Sequence, residues 1–175
     1  WSMTVPWTGF PMALLLKDVD PKPEAKFVSF QSYYNKAVMP GPGFGGDTLP
    51  WPYRENLRVD EMANELAFFA TGVYGHDLPK QHGAPICARM PWKYGYKGAK
   101  SIVKIEFTAA RTPTFWNTIA PDEYDMEANI DPAKPHPRWT QAEERVLDFG
   151  EEFTWKRIPT QKYNGYGDYV AHLYS

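Results

Sequence analysis

Twenty-eight aromatic residues (7 Trp, 11 Tyr and 10 Phe) are interleaved with 13 glycines and 17 prolines along this 175-residue chain. That mixture confines what the chain can become. Gly and Pro at this density interrupt helices and central strands, so the regular elements must be short. Aromatics at this density exclude a disordered tract, which would lack the apolar surface to collapse. A loop-rich globular fold follows. The length suits one domain spanning 1–175, able to bury about 70% of its unfolded surface without disulfide staples. The lone Cys87 excludes a disulfide framework and any multi-cysteine zinc or iron–sulfur site. No stretch approaches 18 apolar residues.

Short periodic segments stand between the breakers. Pro11 suits a first helical position and predicts a helix over Met12–Val19, stopped by Pro21 and Pro23. Lys26–Ser32 alternates as a strand. Gly41–Pro52, with four Gly and three Pro, reads as an irregular loop. Asp60 is an expected N-cap. Met62, Leu66, Phe69 and Val73 at helical spacing predict a helix over Glu61–Thr71. Pro85–Met90 and Ser101–Ala109 read as strands, the second with Val103, Ile105 and Phe107 on one face. Thr140-Gln141-Ala142-Glu143 has a capping-box pattern, predicting a short helix to Leu147. Strands and short helices without βαβ regularity give an α+β fold class.

The net charge of -2 conceals an asymmetry. Arg89–Ile105 holds five cations (Arg89, Lys93, Lys97, Lys100 and Lys104) and no acid, whereas Asp122–Glu152 holds ten acids and three cations. Near-neutrality overall argues against general nucleic-acid binding. Two readings of the basic stretch stand open. With Gly95 and Gly98 it can bring N–H and ammonium groups against a phosphate-bearing small ligand. Alternatively it is a solvated loop that pairs with the acidic stretch.

Common catalytic signatures are missing: no G-x-S-x-G, H-E-x-x-H or Walker pattern occurs, and the glycine-rich Gly41-Pro42-Gly43-Phe44-Gly45-Gly46, with Pro42 and without a flanking strand and helix, makes a poor phosphate loop. His76, His82, His136 and His172 lack metal-ligand spacing, and Asp122, Glu123 and Asp125 are not followed by the residues of a calcium loop.

Several segments nevertheless converge on one family. They are Trp1-Ser2-Met3-x-x-Pro6-Trp7-x-Gly9, Gly83-Ala84-Pro85, Pro91-Trp92-Lys93-Tyr94-Gly95-Tyr96-Lys97-Gly98-x-Lys100-Ser101-Ile102-Val103, Trp116-Asn117 and His136-Pro137-Arg138-Trp139-x-Gln141-Ala142-x-Glu144-Arg145. In this order they resemble the bacterial periplasmic methionine-sulfoxide reductase catalytic subunits, a branch of the sulfite-oxidase-like molybdopterin oxidoreductases. The Pro91–Val103 block sets that branch apart from sulfite oxidase proper. The resemblance implies a sulfite-oxidase-like fold of mixed sheets, short helices and long loops, with a molybdopterin (Mo-molybdopterin) cofactor. It implies reduction of a small-molecule or protein S-oxide, with electrons from a haem-containing membrane partner, and a periplasmic setting; an organellar relative would look alike.

By the same resemblance Gly98, Ala99 and Lys100 contact the pterin and its phosphate. The family's Thr at the end of the early strand falls on Ser32, and its Asn before Gly-Ala-Pro falls on His82. Two departures stand out. Cys87 occupies the position of a family Arg that contacts the cofactor phosphate, while Arg89 lies two residues on, expected on the same strand face. The family's molybdenum-ligating Cys belongs to a Cys-Val-Glu-Ala segment just before the Trp-Ser-Met run, and is expected upstream of Trp1. The alternative implied by these departures is a catalytically inactive relative serving as a structural or binding subunit of a larger assembly.

Overall fold

The computed structural model describes residues 3–39, 48–148 and 154–175. The loop expected over Gly41–Pro52 lies outside the described residues as far as Asp47. The first strand, β1 (Trp7–Pro11), runs straight into α1 (Met12–Val19). Pro11 makes this junction possible, because its ring fixes φ (here −57°) and the first helical turn needs no N–H from it. Asp20 closes α1 in the left-handed conformation, returning its N–H to the Leu16 carbonyl at 3.0 Å.

Two antiparallel sheets follow. In one, β2 (Phe27–Ser32) is central between β3 (Arg54–Arg58) and β7 (Ile102–Thr108). In the other, β4 (Phe68–Val73) is central, with β1 along one edge and β5 (His76–Asp77) and β6 (Cys87–Arg89) along the other. The core gathers side chains from both sheets and the short helices: Val28, Phe30 and Leu57 from the first sheet, Phe69 and Ala88 from the second, with Met12 and Met62. Phe30 meets Phe69 edge to face, ring centroids 5.9 Å apart, which ties the two sheets together. A separate ribbon pairs β8 (Glu143–Asp148) with β9 (Thr154–Pro159).

Three sequence expectations are corrected. The helix expected over Glu61–Thr71 is only the five-residue α2 (Val59–Ala63), capped at Arg58 rather than Asp60. The Asn64 side-chain carbonyl then accepts the Leu66 N–H at 2.9 Å, turning the chain into β4, whose ladder partners lie far away in sequence. The 4-3-4 spacing of Met62, Leu66, Phe69 and Val73 fits a helix by coincidence. Likewise, Thr140 does not open a helix. Its hydroxyl accepts the Ala142 N–H at 3.2 Å in a local turn, and Glu143 starts β8. In β7, Val103 faces solvent instead of sharing a face with Ile105 and Phe107. The ladder to β2 shifts between Gln31 and Ser32, so Ile102, not Val103, is buried.

Candidate functional site

The basic stretch sorts into neutralised and unneutralised cations. Lys93 Nζ lies 2.6 Å from Glu61 Oε1 and also donates to the Glu127 carbonyl (2.7 Å) and Asn129 Oδ1 (2.8 Å). Lys97 Nζ lies 3.1 Å from Glu55 Oε2 and donates to the Met126 carbonyl. Both pairs are buried. On the surface, Lys104 pairs with Glu106 at 2.8 Å. The acidic stretch meets the buried lysines through the carbonyls of Met126 and Glu127, while the carboxylates come from β3 and α2. Lys93 and Lys97 are therefore internal braces rather than ligand donors.

Burial drives the titration of these pairs. It pushes the Lys93 ammonium down to about 8 against the opposing pull of Glu61. Burial raises Glu61, but the Lys93 ammonium, together with hydrogen bonds from the Tyr174 hydroxyl and the Arg58 N–H, outweighs it and holds this carboxyl below its usual range. Glu55 goes the other way: burial raises it and Lys97 offsets only part of the effect.

Arg89 and Lys100 remain. Among the described residues neither has a carboxylate partner; Lys100 Nζ reaches the Gln81 carbonyl at 3.2 Å. The Arg89 guanidinium stacks over the Trp7 ring, 4.1 Å from its centroid, and its buried Nε has no hydrogen-bond partner. Both cations act on Cys87. Burial pushes the Cys87 thiol up, while Arg89 and Lys100 pull against it.

Backbone hydrogen bonds hold the segment that carries these groups. Ala88 N–H donates to the Ala99 carbonyl (2.9 Å), Ser101 N–H to Gly83 (3.0 Å) and Ile102 N–H to Ile86 (3.2 Å), which lays Gly98–Ser101 alongside β6 and the turn before it. Gly83 takes φ +111°, and a Cβ there would lie 2.9 Å from Lys100 Cβ and 3.2 Å from Cys87 Cβ. A Cβ on Gly98 would lie 2.9 Å from the Ala88 oxygen and 3.1 Å from an Arg89 guanidinium nitrogen. Ser32, buried at the end of β2, pairs with Ile102, and Tyr33 N–H donates to the Ser101 carbonyl at 2.7 Å. His82 is exposed beside Gly83 in a short 3-10 turn. The structure thus brings Ser32, His82, Arg89, Gly98, Ala99 and Lys100 around the β6–β7 connection, joined through its backbone.

A cleft of about 930 Å³ opens at Arg89 and Gly98, with Met3–Trp7 of the N-terminal segment as one wall. It shares Met3, Pro91, Lys93, Tyr94, Gly95 and Asn164 with a second cavity of about 970 Å³. In the second cavity His136 stacks on Trp139 (3.5 Å between centroids, 9° between planes) and Tyr124 stands edge-on to Tyr96. His136 Nδ1 accepts the Arg138 N–H, and Glu123 takes the Arg138 guanidinium through two contacts of 3.1 and 2.6 Å. Among the described residues, no group of three or more His, Cys, Asp or Glu is placed to hold a metal ion. Trp7, Tyr94 and Asn164 were not singled out from the sequence as walls of this site. Only Trp7 and Tyr94 carry a signal there, as members of the Pro-Trp and Trp-Lys-Tyr-Gly motifs.

The family described as oxidoreductase molybdopterin binding domain matches residues 1–116, a span that contains Ser32, His82, Arg89, Gly98, Ala99 and Lys100. The chain belongs to that family. Two curated relatives are the protein-methionine-sulfoxide reductase catalytic subunits MsrP of Gluconobacter oxydans (strain 621H) and Burkholderia mallei (strain ATCC 23344). Each is 50% identical over 174 residues, covering 99% of this chain and 56% and 52% of the relative. The chain therefore spans about half the length of the curated relatives it matches. Among solved structures, the sulfane dehydrogenase SoxCD of Paracoccus pantotrophus superposes with a TM-score of 0.52 at 17% identity, over 90% of this chain and 45% of that one. This likeness is one of fold, and it is the α+β molybdopterin-oxidoreductase architecture expected from the sequence.

The residues present fit the cofactor of this family. Arg89 offers a buried donor with no acceptor, and Gly98 leaves open a space that any Cβ would fill. Arg89 and Lys100 supply positive charge that no carboxylate of the described residues cancels. Cys87, fully buried in β6, belongs to no group of three or more His, Cys, Asp or Glu placed to hold a metal ion among the described residues.

Proposed function

We propose that this chain is the molybdopterin-holding part of an oxidoreductase that reduces methionine sulfoxide. The family membership of residues 1–116, with half the residues identical to two methionine-sulfoxide reductase subunits, carries this reading. Bound molybdopterin supplies oxygen-atom transfer: with two electrons and two protons, a sulfoxide becomes a thioether and water.

The chain's own residues hold and orient. Gly98, Ala99, Lys100 and Arg89 would hold the pterin and its phosphate, with Lys100 and Arg89 supplying the positive charge. Ser32 and His82 add hydrogen-bonding groups from the end of β2 and the turn before Gly83. Lys93 and Lys97 act indirectly, by fixing residues 126–129 against the wall that the two cavities share. A haem-containing membrane partner as electron donor and a periplasmic setting belong to the same proposal. Among the described residues, no helix is long and apolar enough to cross a membrane.

The test is metal and pterin analysis of the protein purified from its native host. Roughly one molybdenum and one pterin per chain are expected, together with reduction of methionine sulfoxide by a reduced viologen dye. Lys100→Ala should lower pterin content. A native protein with neither metal nor pterin sinks the proposal and favours the inactive binding relative.

A further inference from the structure

We propose that the outer edge of β7 pairs antiparallel with β7 of a second copy of this chain. The inference goes beyond the cofactor site and rests on three features of the strand. First, the edge is open. Among the described residues β7 ladders only to β2. Beyond Ile102, whose N–H donates to the Ile86 carbonyl at 3.2 Å, no strand flanks its other side. An open edge is a row of backbone donors and acceptors that a further strand can use. Second, apolar surface is left uncovered there. Ile105 and Phe107 pack against the core yet stay only half-buried, and Val103 is 55% exposed. A strand laid alongside removes more of each from water.

Third, the charges of the strand complement themselves. Lys104 and Glu106 flank Ile105, half-exposed on the face opposite Ile105 and Phe107. Antiparallel pairing about Ile105 sets Lys104 of each copy directly opposite Glu106 of the other, giving two ion pairs related by one two-fold axis. Phe107 then lies opposite Val103. A slip of two residues either way sets Lys104 against Lys104 or Glu106 against Glu106. A slip of one residue sets the charged face against the apolar one. Charge and pleat therefore specify the same register. The irregular step of the β2 ladder falls between Ile102 and Lys104, so Lys104–Thr108 keeps the regular alternation that this register needs.

Charge of one sign guards many sheet edges against such pairing. The edge strand β9 (Thr154–Pro159) carries Lys156 and Arg157 and no acid, so two copies of it repel. In contrast, β7 carries one charge of each sign, and the chain's net charge of -2 adds little repulsion at a distance. A ladder this short buries less than a standard interface, so the dimer is weak and concentration-dependent.

The test is sedimentation velocity of the full chain over about 1–300 μM, where a small interface associates. Wild type passes from monomer to dimer as concentration rises. Lys104→Glu alone and Glu106→Lys alone each set like charges opposite one another at both positions, and each weakens association about tenfold or more. An equimolar mixture of the two single variants restores association, because each supplies the charge the other lacks. The double variant Lys104→Glu, Glu106→Lys restores it as well. Added salt weakens the wild-type dimer and strengthens association of each single variant. Circular dichroism shows that every variant is folded.

Wild type that stays monomeric across this range overturns the inference. Slow hydrogen exchange at the Val103–Thr108 amides of such a monomer would assign the edge to a cover within one molecule. A dimer that tolerates both single variants also overturns it, as does weakening that neither the mixture nor the double variant restores.

Discussion

Lys93 Nζ and the Tyr174 hydroxyl share one acceptor: Glu61 Oε1 lies 2.6 Å from the first and 2.5 Å from the second. Trp92 Nε1 donates to the Tyr174 oxygen at 2.8 Å, and Arg58 N–H donates to the other Glu61 oxygen at 2.9 Å. One buried carboxylate thus joins α2, the basic stretch and the last residues of the chain.

Breaking that junction on one side should cost far more than removing it whole. Lys93→Met leaves Glu61 charged and buried without its cation, a loss of about 3–5 kcal/mol in urea unfolding. The double variant Lys93→Met, Glu61→Leu should recover most of it. A single variant as mild as the double would show that Glu61 is not an isolated buried charge after Lys93 is lost.

The two buried acids should act on stability in opposite directions on either side of their common ordinary pKa of 4.5. Lys93 holds Glu61 below that value in the folded state. Its stabilisation is therefore complete above pH 4.5 and is lost as pH falls through the lowered folded value. Burial raises Glu55, so the folded chain keeps a proton that the unfolded chain has released, and stability declines as pH rises above 4.5. Glu61→Gln should flatten the acid limb of an unfolding-energy profile, and Glu55→Gln should remove the decline above it. Profiles over about pH 3–7 that change in the same window for both variants would contradict this assignment.

Three glycines should respond unequally to alanine. Gly83→Ala combines a φ of +111° with a Cβ 2.9 Å from Lys100 Cβ, and should destabilise by about 1–3 kcal/mol. Gly98→Ala presses on the Ala88 carbonyl and Arg89, and should lower both stability and pterin content. Gly95→Ala meets nothing within 4 Å and should stay within about 0.5 kcal/mol of wild type in thermal melts.

Cys87 should be chemically quiet. It is fully buried in β6, and its thiol is pushed up by burial. Its reaction with a disulfide dye should be more than about 100-fold slower in the native chain than in urea, because exposure requires local opening. A native rate close to the unfolded one would place the thiol at the surface.

What could be read from the sequence was what depends on neighbours in sequence. Pro11 marked the start of α1 at the residue where it begins, and alternation marked β2 and most of β7. The Pro91–Val103 block marked the segment that β6 and Gly83 hold in place. Long-range pairing was hidden. Phe68–Val73 is a strand because β1 and β6 flank it, and no local spacing reports that. The partners of Lys93 and Lys97 lie at Glu61 and Glu55, far from the run in sequence, so the sequence left a ligand site and a solvated, paired loop both open, while in the fold three of the five cations are paired. Arg89 and Lys100, which have no carboxylate partner among the described residues, stand out only after those partners are subtracted.

The cleft at Arg89 is walled by Met3–Trp7 and Phe10, by Glu65 and Leu66, by Ala88–Pro91, and by Asn164 and Tyr166. No contiguous stretch of the chain encloses it. A ribosome that has just released Arg89 has not yet made Asn164 and Tyr166. The cleft therefore exists only once segments far apart in the sequence have come together.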